Sequence, residues 1–533
     1  MSDISAVNAD GFSGFKKFEA VPFSIQNLQL LTAPIRKEAV FESPDPSIQI
    51  ASLLNHLRCS TILVEKNYTD RDYKAEFSAL YAKRFYTPHP RCDRLHFFSV
   101  PILVKNLFSQ IDQLNDNSYL GYCVVRPTEF NRVGRTVIQS STLPAPQSTR
   151  GVKHYITCEA LFRPHILGRC FEVNGFPFIQ QDTQVGACAH AALWMAGRYM
   201  SALGYCPEFL PAEINILAKA RQSRGRTFPA EQGLVTIQML DGLHGMGLSA
   251  IHYNRINFPE KICEHIKISA DSLVDGENEI RRLKLESKKL ADLAYRYIES
   301  RLPVILTTKD HAVVGLGHTL AVNPNVPNNI DRIPSLLIND DGYGPYVELP
   351  VDPGAGKYSF DDVLDLIAVL PGAVMLRGEY AEESARSTLE LMPDLLGAGN
   401  KRQIKESARL RSILTTYRLR TYLLSASEFQ RDLRLKNPSE RLAPEVTIAL
   451  TRLDYPQYIW ISEVFISDKN GQRCIGKIIL DSTAAKSDRS VMAVVLGKMA
   501  ILFDRRNPHV IPFAFTLNDE CRFSSKNMGT MTT

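Results

Sequence analysis

The run QQDTQVGACAHAALWM, residues 180–195, is a polar, glycine-containing loop that enters a helix at or near Cys188. The first turn of a helix carries unpaired N–H groups and a partial positive charge. A thiolate formed at such a place is stabilised, so the position suits a nucleophile. Ala187, Ala189, Ala191 and Ala192 keep the entrance small, and Leu193, Trp194 and Met195 then anchor the helix in a core. Acyl transfer through a cysteine passes through a tetrahedral oxyanion. The Cys188 backbone N–H and a glutamine carboxamide suit its stabilisation. Gln181 and Gln184 both qualify. His190 stands two residues beyond Cys188 and points to another helical face, which predicts a packing or rim role.

A thiol nucleophile needs a base, and the base needs an orienting group. Pro303–Thr307 reads as a buried strand. After a short polar turn, HAVVGLGH (311–318) reads as another, with His311 at its opening and His318 at its far end as a competing base. SLLINDDGYG (335–344) is a strand that ends in carboxylates and a glycine turn. Asp340 or Asn339 is placed to accept from His311 and fix its tautomer. Asp340 and Asp341 also have the chemistry of plain turn residues.

The order of glutamine, cysteine at a helix start, histidine opening a strand and Asp or Asn ending the next resembles the papain-like cysteine peptidases. The PVIL (303–306), HAVVGLG (311–317) and LLINDDGYG (336–344) segments are most similar to the bacteriocin-leader (double-glycine) peptidase branch. The resemblance implies Cys188 as nucleophile, His311 as base and Asp340 as the orienting residue. It also implies an α+β central domain in which a helix bearing the cysteine packs on an antiparallel sheet bearing the histidine and aspartate. The implied activity is cleavage of an amide, peptide or isopeptide bond through a thioester acyl-enzyme, on a peptide or protein substrate. The chain departs from the branch at Ala189, where glycine is usual, and at Asp341, where proline is common. The glutamine spacing differs, and the connection after His318 is longer. Two alternatives keep the fold: transglutaminase-like acyl transfer to an amine, or an inactive papain-fold interaction module in a multidomain assembly.

A chain of 533 residues predicts several units. Residues 1–150 read as an α/β region that packs on the central unit, opening with a polar leader up to about residue 45. Residues 151–375 form the central unit, 376–400 a connector, and 401–525 a C-terminal α/β domain that begins with a basic helix running to about Leu435. Within that domain, the DKNG run at 468–471 predicts a hairpin turn, because Asn-Gly accepts the positive φ such turns need. The flanking units are where a partner protein is expected.

Sixty-two basic and 57 acidic side chains leave a net charge of only +5, which gives no general reason to expect a nucleic-acid partner. The densest basic stretch, with Lys405, Arg409, Arg411, Arg418, Arg420, Arg431 and Arg434, reads as a solvated helix face. The ten cysteines occur singly with no CxxC pair, so no metal and no cofactor is expected. The absence of a secretory leader pattern or a membrane-length apolar run predicts a reduced, cytoplasmic location with no membrane partner.

Overall fold

The computed structural model describes residues 17–35, 45–140, 152–220, 228, 233–255, 275–321, 333–352, 358–397, 401–414, 417–435, 442, 444–468, 471–486, 489–497, 499–503 and 513–516. It mixes helices with antiparallel sheets, an α+β organisation.

The first sheet is a five-stranded meander of Phe18–Pro22, Thr61–Tyr68, Cys92–Phe98, Tyr119–Val125 and Val133–Ile138. Part of the expected leader is therefore structured. Phe18–Pro22 pairs with Thr61–Tyr68, and Ser24 caps the helix Ile25–Thr32. Such short segments carry little periodic signal of their own, and the strand that pairs with the first of them is distant in sequence.

The second sheet holds seven strands. Leu248–Asn254, Asp365–Pro371, Val304–Thr307, Ala312–Ala321, Ser335–Asp340 and Gly344–Pro350 follow in spatial order. The long strand Ala312–Ala321 pairs with Val304–Thr307 along its first half and with Val152–Ile156 along its second. A Cβ at Gly317 would stand 2.4 Å from the Tyr155 carbonyl oxygen, so this crowded crossing requires glycine.

The helix Cys188–Ala202 is buried on every face from Ala189 to Met200 and packs against this sheet. It ends in a paired C-terminal cap. Gly204, at φ +80°, donates to the Ser201 carbonyl, and the Tyr205 N–H reaches the Met200 carbonyl.

The third sheet is a six-stranded meander from Tyr417–Ser425 to Phe513–Thr516. The strands Tyr458–Asp468 and Gly471–Asp481 pair antiparallel with Asp468 opposite Gly471, as a hairpin at 468–471 requires. The two residues at the tip of that turn, 469 and 470, lie outside the described residues.

The helices of this half differ from the sequence reading. The connector 376–400 contains the helix Gly378–Gly397, with Ala381, Ala385, Leu389 and Met392 fully buried. Its apolar stripe is obscured in the sequence by the polar residues between those positions. The looser part expected at 397–400 falls largely outside the described residues. The basic helix is broken in two, Lys401–Ile413 and Ala426–Leu435, by the strand Tyr417–Ser425. Arg420 lies on that strand and is 3% exposed, so it belongs to no solvated face.

One apolar core runs from Leu28 through the helix Cys188–Ala202 to Ile501 and ties the three sheets together. Thr136 and Phe178 exchange backbone hydrogen bonds across the first junction. Trp460 Nε1 donates to the Leu376 carbonyl at the second. No helix among the described residues is long and apolar enough to cross a membrane.

Candidate functional site

Cys188 is the first residue of its helix and is only partly buried. His190 secures the loop that delivers it. Its Nδ1 accepts from the Ala187 N–H at 3.1 Å, and its Nε2 lies 2.8 Å from Asn215 Oδ1. Burial holds this imidazole down at about 4 despite the bond to Asn215. A Cβ at Gly186 would strike the His190 side chain at 2.7 Å, so the turn requires glycine.

His311 stands immediately before the strand Ala312–Ala321, at the end of a turn in which the Thr308 N–H donates to its carbonyl. Its Nε2 is 3.0 Å from Asp340 Oδ1, which leaves Nδ1 for another partner. Burial alone would lower the His311 pKa. Hydrogen bonding to Asp340 and to the Cys188 thiol, with the charges of Asp340 and Asp341, overcomes this and raises it to about 11. The imidazolium form is thus favoured at neutral pH.

Asp340 is fully buried and held from several sides. Its Oδ1 also accepts from the Gly342 and Tyr343 amides at 2.9 and 3.2 Å, and its Oδ2 accepts from the Tyr358 hydroxyl. Neighbouring strand residues face opposite ways, and Asn339 is engaged elsewhere. It donates to the Pro177 carbonyl and accepts from the Tyr346 N–H. Of the two orienting candidates, Asp340 is therefore the one that meets His311.

His318 is fully buried, with Nε2 2.7 Å from Glu299 Oε1 and its ring stacked on Tyr155. These contacts place it in the junction with the third sheet rather than beside the thiol.

The two glutamines differ as well. Gln184 Oε1 accepts from Arg84 at 3.3 Å. Gln181 is partly exposed, and its backbone N–H is directed toward Asp341 beside His311. Asp341 is fully buried with both carboxylate oxygens lacking a normal hydrogen bond. Burial raises its pKa to about 7, opposed by the nearby His311 charge. His311, Asp340 and Asp341 offer ligand atoms within 4.8 Å of one another. Two of those groups are already committed to the hydrogen bond between them.

Sequence reasoning missed Tyr358, the close approach of Asp341 to His311, and Asp182. Tyr358 lies 18 residues beyond Asp340, and Asp182 is met by Tyr81 from 101 residues earlier. Local pattern carries no signal for either contact. No family model matches the chain, and no curated protein matches it.

Proposed function

We propose that the chain is a cysteine hydrolase of papain-like arrangement that cleaves an amide, peptide or isopeptide bond in a peptide or protein. One observation carries the reading: His311, hydrogen-bonded to a buried carboxylate on the adjacent strand, is also influenced by the thiol of Cys188 at a helix start. The helix bearing Cys188 packs on the antiparallel sheet at whose strand ends His311 and Asp340 meet, which supports the reading.

In this reaction His311 takes the proton of the Cys188 thiol, and the sulfur attacks the carbonyl carbon. The oxyanion that forms is met by the Cys188 N–H and the Gln181 carboxamide. His311 gives its proton to the leaving amine as the C–N bond breaks, which leaves a thioester. His311 then takes a proton from water, the hydroxide oxygen attacks the thioester, the C–S bond breaks to release the carboxylic acid, and His311 returns its proton to the sulfur. Asp340 holds Nε2 and leaves Nδ1 for the sulfur, and the Tyr358 hydroxyl and two backbone amides hold Asp340.

Labelling with an iodoacetamide-alkyne probe at neutral pH tests the reading. Selective modification at Cys188 is expected, absent in Cys188→Ala and reduced in His311→Ala. Labelling of Cys188 no faster than that of the buried cysteines would refute it.

A further inference from the structure

The segment before the nucleophile is gripped from the N-terminal unit. Tyr81, between the second and third strands of the first sheet, donates its hydroxyl to both carboxylate oxygens of Asp182, at 2.7 and 2.8 Å. Asp182 is 8% exposed. The same carboxylate accepts from the Gln184 N–H at 3.2 Å. Arg126, fully buried beside Glu76, reaches within 3.9 Å of Asp182 and donates to the Gln180 carbonyl at 2.8 Å. The Gln180 side chain accepts in turn from the Val133 N–H. Both neighbours of Gln181 are thus fastened to the N-terminal unit.

The turn that follows is strained. Thr183 has φ +67°, a region that β-branched residues avoid. Such a conformation persists only where its surroundings over-determine it. The grip on Asp182 supplies that constraint, one residue from the turn and one residue from Gln181.

We propose that Tyr81 and Arg126 are positioning residues, and that the N-terminal unit sets the Gln181 carboxamide for oxyanion stabilisation. This rests on the cysteine-hydrolase reading. Two reagents separate the roles. With 4-nitrophenyl acetate the sulfur attacks the acetyl carbonyl through an oxyanion, 4-nitrophenolate leaves, and acetyl-Cys188 forms. With iodoacetamide the sulfur displaces iodide and no oxyanion arises.

In the full chain, Tyr81→Phe is expected to slow acetylation of Cys188 about tenfold while alkylation stays within about twofold. Asp182→Asn, which alters the same contact from the other side, should change the ratio in the same direction. In a Gln181→Ala background, Tyr81→Phe should have no further effect on acetylation. An unchanged ratio of the two rates in both single variants overturns the proposal. So does an equal fall in both reactions, or a full effect of Tyr81→Phe without Gln181. If wild-type Cys188 reacts selectively with iodoacetamide but the ratio ignores Tyr81, only the positioning role fails. If wild-type Cys188 reacts selectively with neither reagent, the hydrolase reading fails with it.

Discussion

The run that forms the strand Ala312–Ala321 carries two histidines, and they are used differently. His311 meets Asp340 at 3.0 Å, keeps 28% of its side chain exposed and interacts with the Cys188 thiol. His318 meets Glu299 at 2.7 Å and is fully enclosed. The other oxygen of Glu299 accepts two hydrogen bonds from Arg420, which also reaches Glu463. Burial would raise the Glu299 pKa, but Arg420 and His318 hold it at about 2. A histidine–carboxylate pair is therefore not a reactive site by itself. One pair is partly exposed and has a thiol beside it, while a buried cation makes the other a cross-link between two sheets.

On the proposed mechanism, exchange of Cys188 gives the largest effect. Cys188→Ala should lower turnover of any accepted substrate by at least about 10⁴-fold, since no other group forms the acyl-enzyme. Full activity in that variant would dissolve the distinction between the two histidines.

The cross-link breaks next. Arg420→Ala should cost about 3–5 kcal/mol of stability, because it leaves Glu299 buried without its guanidinium and Glu463 with the more distant Lys477. Chemical denaturation measures this, and Cys188 alkylation should persist under conditions where the variant is folded. A loss of alkylation with the fold intact would mean that the two ends of the strand are coupled.

Asp340→Asn sharpens the comparison from the reactive end. A drop of about 10²-fold in acylation is expected, together with an alkaline limb of the pH–rate profile that moves down from about 11 toward the ordinary histidine range. The raised His311 pKa also contributes to stability. That contribution is complete below about pH 6.5 and is lost as pH rises through about 11, and the variant should lose much of this dependence.

The smallest effect concerns Asp341. Its raised carboxyl pKa means that wild-type stability falls as pH rises from about 4 to about 7, because the carboxyl ionises in the unfolded chain while the buried one keeps its proton. In a comparison of melting temperatures, Asp341→Asn should lack this component. Parallel curves for the two proteins across that window would show that Asp341 does not titrate there.

Much of the local architecture was legible. The helix at Cys188, the strand after His311 and the strand ending at Asp340 each follow from a short run of residues. The helix at Gly378–Gly397 was not, because its buried positions are interspersed with charges and its packing partner is the third sheet. Arg420 was misread for the same reason. A basic residue amid other basic residues suggests solvent, and only distant Glu299 and Glu463 explain its burial.

The amino-acid order alone determined which chemical groups are present and which local elements carry them, since helical and strand periodicity act over a few residues. Tertiary packing decided between Asp340 and Asn339, sent His318 to a different carboxylate, and brought Tyr81, Arg126 and Tyr358 around the central elements. Those choices depend on which faces meet across distant parts of the chain, and spacing along the chain does not encode them.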